Sequence, residues 1–224
     1  MRNPLSRSKS RSLAGIALAA VIAPFLLALT GCLKVPIGNP EKSQIDPTLS
    51  GVWVSREIEH GGGAGLWLWE PYDSRTWLVT WIGPETVANT EASGATPLVT
   101  PDALTLLEQE DATIHELDVF KAWLAPIGDV RFLVLEPKMA VDAPDAWWTF
   151  ALVTKGNDVV ELRMVNQNLG GLKDVTTSAE AEAIILRNIA NPKLLDDEPW
   201  VLTRVPAADY ERVEDVLKHF NIGN

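Results

Sequence analysis

Apolar positions change their spacing along the chain, and each change marks a different kind of element. Residues 13–29 form a nearly continuous apolar run, interrupted by Gly15 and Pro24. Beyond it come short stretches in which apolar and polar residues alternate, the two-residue period of strands. In 76–82, Trp77, Val79 and Trp81 share one face. The same reasoning predicts strands over 52–58, 66–69, 117–124, 130–135, 147–154, 158–165 and 200–205. Turn formers separate them, among them the glycine-rich 60–65, Pro71-Tyr72-Asp73-Ser74 and Pro126-Ile127-Gly128-Asp129. After Pro206 the period becomes helical, with Tyr210, Val213, Val216, Leu217 and Phe220 on one stripe.

One hairpin also carries a register. Along 158–165, Val160, Leu162 and Met164 point one way, and Glu161 and Arg163 the other. A two-residue Gly156-Asn157 loop would set Phe150 and Leu152 opposite the charges, and a slip of one residue flips every side chain. A three-residue loop over 155–157, with Asn157 left-handed, instead sets Trp148, Phe150 and Leu152 beside Met164, Leu162 and Val160.

Helix signals are few. Asp46 before Pro47 predicts one helical turn, N-cap then proline at the first position. Thr177 with Glu180 makes a capping box for a helix over 178–190. Thr100-Pro101-Asp102 starts a third, short one, after a polar loop over 83–100. Residues 33–44, with Pro36, Gly38 and Pro40, read as a flexible tether. The fold class expected is mainly β: an antiparallel barrel or strongly curved sheet with two or three short helices, one of them C-terminal.

The N-terminus changes the picture most. Arg2, Arg7, Lys9 and Arg11 precede the apolar run, which ends in small residues, the layout of a secretory signal. A spanning helix needs roughly 20 apolar residues, more than this proline-containing run supplies. Leu29-Thr30-Gly31-Cys32 resembles a bacterial lipobox. The resemblance implies cleavage before Cys32 and acylation of that cysteine, which is the only one in the chain. It thereby divides the sequence into a signal over 1–31, an acylated cysteine and tether over 32–44, and one domain over 45–224. Each buried CH₂ is worth about 0.8 kcal/mol, and stable anchoring takes more than one chain. Leu33 after the cysteine, in place of the Asp that retains enteric lipoproteins in the inner membrane, points to an outer-membrane address.

Charge narrows the partners. The chain holds 19 basic and 30 acidic residues, and the four basic residues of the signal leave 15 against 30 beyond it, a formal charge of −15. Such a domain does not attract nucleic acid or anionic headgroups.

Gly51-Val52-Trp53, opening a strand after a helical turn, resembles the G-x-W motif of lipocalins and related calycins. In that family the tryptophan closes the barrel base and stacks on a basic residue of the last strand. The resemblance implies Arg204 as the partner of Trp53, through a cation–π contact. The family's T-D-Y motif and cysteine pattern are absent, and the helix over 178–190 is extra to it.

Candidate chemistry is sparse. His60-Gly61-Gly62-Gly63 resembles an esterase oxyanion loop but has no G-x-S-x-G elbow to serve, so a glycine turn is the reading. His60, His115 and His219 form no H-x-x-x-H pair, and Asp196-Asp197-Glu198 lacks a calcium-loop spacing, so neither metal nor cofactor is expected. Glu57 with Glu59, or Glu70 and Asp73 near Tyr72, are carboxylate pairs of the kind any acidic protein offers, and no enzyme is expected from them. The tryptophans are the positive signal. Trp67 and Trp69 face away from Leu66 and Leu68 on one strand, so both faces are apolar and the second needs a helix, a partner or a ligand.

Trp67, Trp69, Trp77 and Trp81 are therefore the candidate ligand or partner surface, and Trp53 with Arg204 the barrel-closing contact. Two functions follow as expectations. The first is a lipid-anchored, lipocalin-like domain facing the periplasm and binding an apolar or amphipathic small molecule. The second is a non-catalytic envelope assembly lipoprotein acting through a protein interface. An open interior favours the first, and a filled one with an exposed apolar patch the second.

Overall fold

A computed structural model of the protein describes residues 32–55, 65–84, 114–139 and 147–219. The alternating stretches become β2 (Gly51–Ser55), β3 (Gly65–Pro71), β4 (Trp77–Pro84), β5 (Ile114–Ile127), β6 (Val130–Met139), β7 (Trp147–Lys155), β8 (Val159–Met164) and β9 (Trp200–Arg204). Each pairs antiparallel with the next, and β9 pairs back onto β2, so eight strands close a barrel. A two-residue β1 (Cys32–Leu33) adds to β7 where β8 has ended.

Antiparallel succession sorts the connections. Residues 72–76, Gly128-Asp129 and 156–158 turn the chain at one end, the base. At the other end, the mouth, lie the strand ends Ser55, Gly65, Pro84, Ile114, Met139, Trp147, Met164 and Trp200, with 165–199 joining the last two. The expected helix after Thr100, the His60 glycine turn, Glu57, Glu59, Phe220 and the whole of the expected signal over 1–31 lie outside the described residues.

The two faces of the barrel wall have separate cores. Inside, Trp53, Trp67, Trp69, Trp77, Phe120 and Phe150 pack with the aliphatic residues that alternate with the outer set. Outside, α1 (Ser178–Arg187) lays Ala181, Ile184 and Ile185 over Trp123, Phe132 and Val134. On the opposite flank, α2 (Tyr210–His219) lays Val213, Val216 and Leu217 over Leu66, Leu68 and Ile82. A helix therefore covers the second apolar face of β3, and the period-two reading of that strand is correct.

Three expectations need correction. Residues 33–44 are docked to the wall: Leu33 and Ile37 are fully buried, Trp123 Nε1 donates to the Ile37 carbonyl at 3.0 Å, and Gly38 N donates to Glu182 Oε1 at 2.8 Å. Leu33, Val35 and Ile37 alternate like a strand, a signal that the proline and glycine content overrode. Secondly, the β7–β8 turn is three residues long but falls at 156–158, with Gly156 left-handed at φ +71°, so Phe150 and not Trp148 pairs with Met164. The shift is two residues, which keeps every side chain on its expected face. Lys155 stays in the strand, paired with Val159 and bridged to Glu161. Thirdly, β5 runs through Pro126 to Ile127, because Pro126 pairs with Arg131 one step from the turn, where the ladder alternation asks nothing of its missing N–H.

α1 keeps its expected start, with Thr177 Oγ1 accepting from Glu180 N at 3.3 Å. It ends three residues early at Arg187, where Asn188 Nδ2 donates back to the Ile184 carbonyl at 2.9 Å.

Candidate ligand-binding site at the barrel mouth

The base is built around one register pair. Trp53 lies opposite Arg204, whose guanidinium carbon sits 4.1 Å from the indole centroid, inside the expected 6 Å limit. Arg204 Nη1 donates to the Ser50 carbonyl at 2.9 Å, Nε to the Asn157 carbonyl at 3.0 Å, and Nη2 to the Thr48 carbonyl. Trp53 Nε1 donates to the Leu49 carbonyl at 2.9 Å. Gly51 is required here twice over: its φ is +129°, and a Cβ would lie 2.7 Å from Arg204 Nη1. The G-x-W motif thus describes a plug in which a turn over Pro47–Leu49 is sewn to the first and last strands.

That turn has its own electrostatic support. Asp46 accepts from Thr48 N and Oγ1, and Arg131 Nη1 lies 2.8 Å from its Oδ2. These bonds, the Thr48 hydroxyl first and then Arg131, hold the carboxyl below its usual range against a desolvation penalty. A lowered folded pKa stabilises the protein above the unfolded value of about 3.9, and that stabilisation is lost as pH falls through the folded pKa. Asp46→Ala is therefore expected to cost about 1 kcal/mol at pH 7. The difference from wild type should shrink in urea unfolding run progressively below about pH 4.

Aromatic rings span the barrel above the base. Trp81 stands 6.1 Å from Trp67, Trp67 lies 6.0 Å from Trp200, Trp200 lies 6.0 Å from Trp148, and Trp148 lies 5.5 Å from Phe120. Trp67 is buried, whereas Trp81, Trp148 and Trp200 are half-buried at the mouth ends of their strands. Trp81 has its place because of two glycines: a Cβ on Gly65 would fall 2.1 Å from its Nε1, and one on Gly83 2.8 Å from its ring. Asp118 pairs with Trp81 in register and is 9 % exposed, which puts a carboxylate on the same face of the wall.

Hydrogen bonding separates the indoles. Trp67 Nε1 donates to Ser55 Oγ at 3.1 Å and Trp77 Nε1 to Ser50 Oγ at 3.2 Å. Nε1 of Trp69 and Nε1 of Trp81 are buried with no partner among the described residues. A buried donor left unpaired costs roughly 1–3 kcal/mol, so an acceptor brought to the Trp81 indole at the mouth is favoured.

All four tryptophans named from sequence point inward. Trp69 and Trp77, 6.2 Å apart, belong to the packed base, while Trp67 and Trp81 belong to the mouth layer. Sequence reasoning placed Trp148 on the right face but missed it as a site residue, and it missed Trp200 altogether. Only barrel closure brings them beside Trp67, across more than a hundred residues of chain for Trp200. The other candidates dissolve into turns. Asp73 accepts from Arg75 N and Thr76 N, first of these Arg75, which hold its carboxyl low. In the run from Asp196, Arg163 Nη1 donates to the carbonyls of Asp196 and Asp197 at 3.2 and 2.7 Å, while burial, with Asp197 adjacent, pushes the Asp196 carboxyl up. Outside the barrel, Tyr72, Leu78, Lys121 and Lys138 line an open cleft of about 230 Å³.

Comparison of the chain with family models, with curated proteins and with solved structures finds no match.

Proposed function

We propose that the protein is a lipid-anchored, lipocalin-like binding protein of the cell envelope, held at the outer membrane through acylated Cys32 and facing the periplasm. Its ligand is an apolar or amphipathic small molecule bound in the mouth half of the barrel. The observation that carries this reading is the half-buried Trp81, Trp148 and Trp200 layer with an unpartnered indole N–H in it. Indole faces accept an apolar body, and the free N–H selects a hydrogen-bond acceptor on the same molecule.

Tryptophan fluorescence titrated with a fatty acid and with a lysophospholipid tests it. Saturable quenching or enhancement is expected, and Trp81→Phe, which leaves a smaller aromatic ring and removes the donor, should weaken binding by about 2- to 10-fold. A flat titration with both probes would refute the binding reading.

The packed base favours a second reading. Trp53, Trp69 and Trp77 fill the lower barrel, so a deep calyx is not needed to explain their burial. An envelope assembly protein working through its outer surface has this construction. Recovery of a cross-linked protein partner, with no small molecule in the native mass spectrum, would favour it.

A further inference from the structure

The residue proposed to carry the lipid has no leash. Cys32 pairs with Trp148 and Leu33 with Trp147, and Leu33 is fully buried. Wall and anchor are thus adjacent strands, about 4.8 Å apart. On its other side Trp148 belongs to the β6–β7 pairing, opposite Leu135. From Leu135, β6 runs four residues further toward the mouth, to Met139, which is 63 % exposed. Leu117, on β5 at the same end, is 36 % exposed. Half-buried Trp147, Trp148 and Trp200 complete that end of the wall.

We infer that the mouth of the barrel lies against the bilayer, with Met139 and Leu117 at headgroup depth. The inference rests on the anchoring reading above and adds an orientation and a ligand source to it. Acyl chains leaving from Cys32 start one strand from the rim, so they bring this end of the barrel, and not the base, to the membrane. Indoles favour the interface between apolar chains and water, where Trp147, half-buried on the outer wall, would then sit. Charge selects the lipid. Residues 32–224 carry a formal −15, and Asp197 and Glu198 lie exposed just before Trp200, so the matching surface is zwitterionic, not anionic. A mouth in that position exchanges its ligand with the bilayer directly, and the ligand is a membrane amphiphile.

The test uses the full chain, processed in a lipoprotein-competent bacterial host and reconstituted in phosphatidylcholine vesicles. Mass spectrometry first reads the acyl groups on Cys32. With the chain's only cysteine blocked in this way, single thiols can be labelled through Met139→Cys, Leu117→Cys and, near the base on β7, Val153→Cys, a position 45 % exposed. Each carries an environment-sensitive fluorophore, read against spin-labelled lipid as quencher. The labels at 139 and 117 should shift to the blue and be quenched at least 3-fold more than the label at 153. Equal quenching, or stronger quenching at 153, on protein bearing the acyl mass overturns the orientation and leaves the anchor standing. Absence of the acyl mass overturns both.

Discussion

Trp53→Ala should cost about 3–5 kcal/mol in urea unfolding, the range for removing a large aromatic from a packed core. The side chain is 2 % exposed and does three things at once. It fills the base beside Leu49, donates to the Leu49 carbonyl, and offers its face to Arg204. Arg204→Lys separates the last of these. Lysine keeps the charge but loses the planar stack and the fork that serves the carbonyls of Thr48, Ser50 and Asn157, so a loss of roughly 1–3 kcal/mol is expected. The double variant should cost less than the sum of the two, because each removes the same contact. The m-value should hold, since surface exposed on unfolding changes little. A cost below about 1 kcal/mol for Trp53→Ala would mean that the plug is ornamental and that closure depends on the β2–β9 ladder alone.

That plug was legible in the sequence because its parts are local or constrained by a motif. Asp46, Pro47, Gly51 and Trp53 lie within eight positions, and each has a specific stereochemical duty that few other residues perform. Strand faces were legible for a similar reason: alternation in Trp77, Val79 and Trp81 needs no knowledge of the partner strand. Register was only half legible. The pattern around Val160, Leu162 and Met164 excludes odd slips, but a slip of two leaves every face unchanged, so alternation alone does not choose between the even registers. The mouth layer was the least legible part. Trp67 and Trp81 already face each other across the β3–β4 ladder, but Trp200, and through it Trp148, joins them only when β9 returns to β2 and β8, a consequence of closure that no local pattern contains. Both flanking helices announced themselves by caps or stripes, yet which strands they cover follows from the barrel.

The docked N-terminal segment offers the second large effect. Ile37→Ala is expected to cost about 2–5 kcal/mol, because the side chain is fully buried among Trp123, Ala125 and α1 and its removal leaves a cavity. A tether would show no effect at all. Glu41→Ala serves as the internal control: its carboxylate pairs with Arg75 at 2.6 Å, but the two side chains are 75 and 48 % exposed, so no more than about 1 kcal/mol is at stake. The contrast between two residues four positions apart is what distinguishes a packed segment from a leash. It also bears on the proposed anchor, because Ile37 helps to hold the segment containing Cys32. If Ile37→Ala frees the segment without unfolding the barrel, urea unfolding should show an early partial transition, with Trp123 losing its donor contact to the Ile37 carbonyl first. On the anchoring and orientation proposed above, the mouth's orientation on the bilayer should then relax while the acyl group on Cys32 stays in place. A destabilisation confined to global unfolding, with no early phase, would instead show that the segment and the barrel form one cooperative unit.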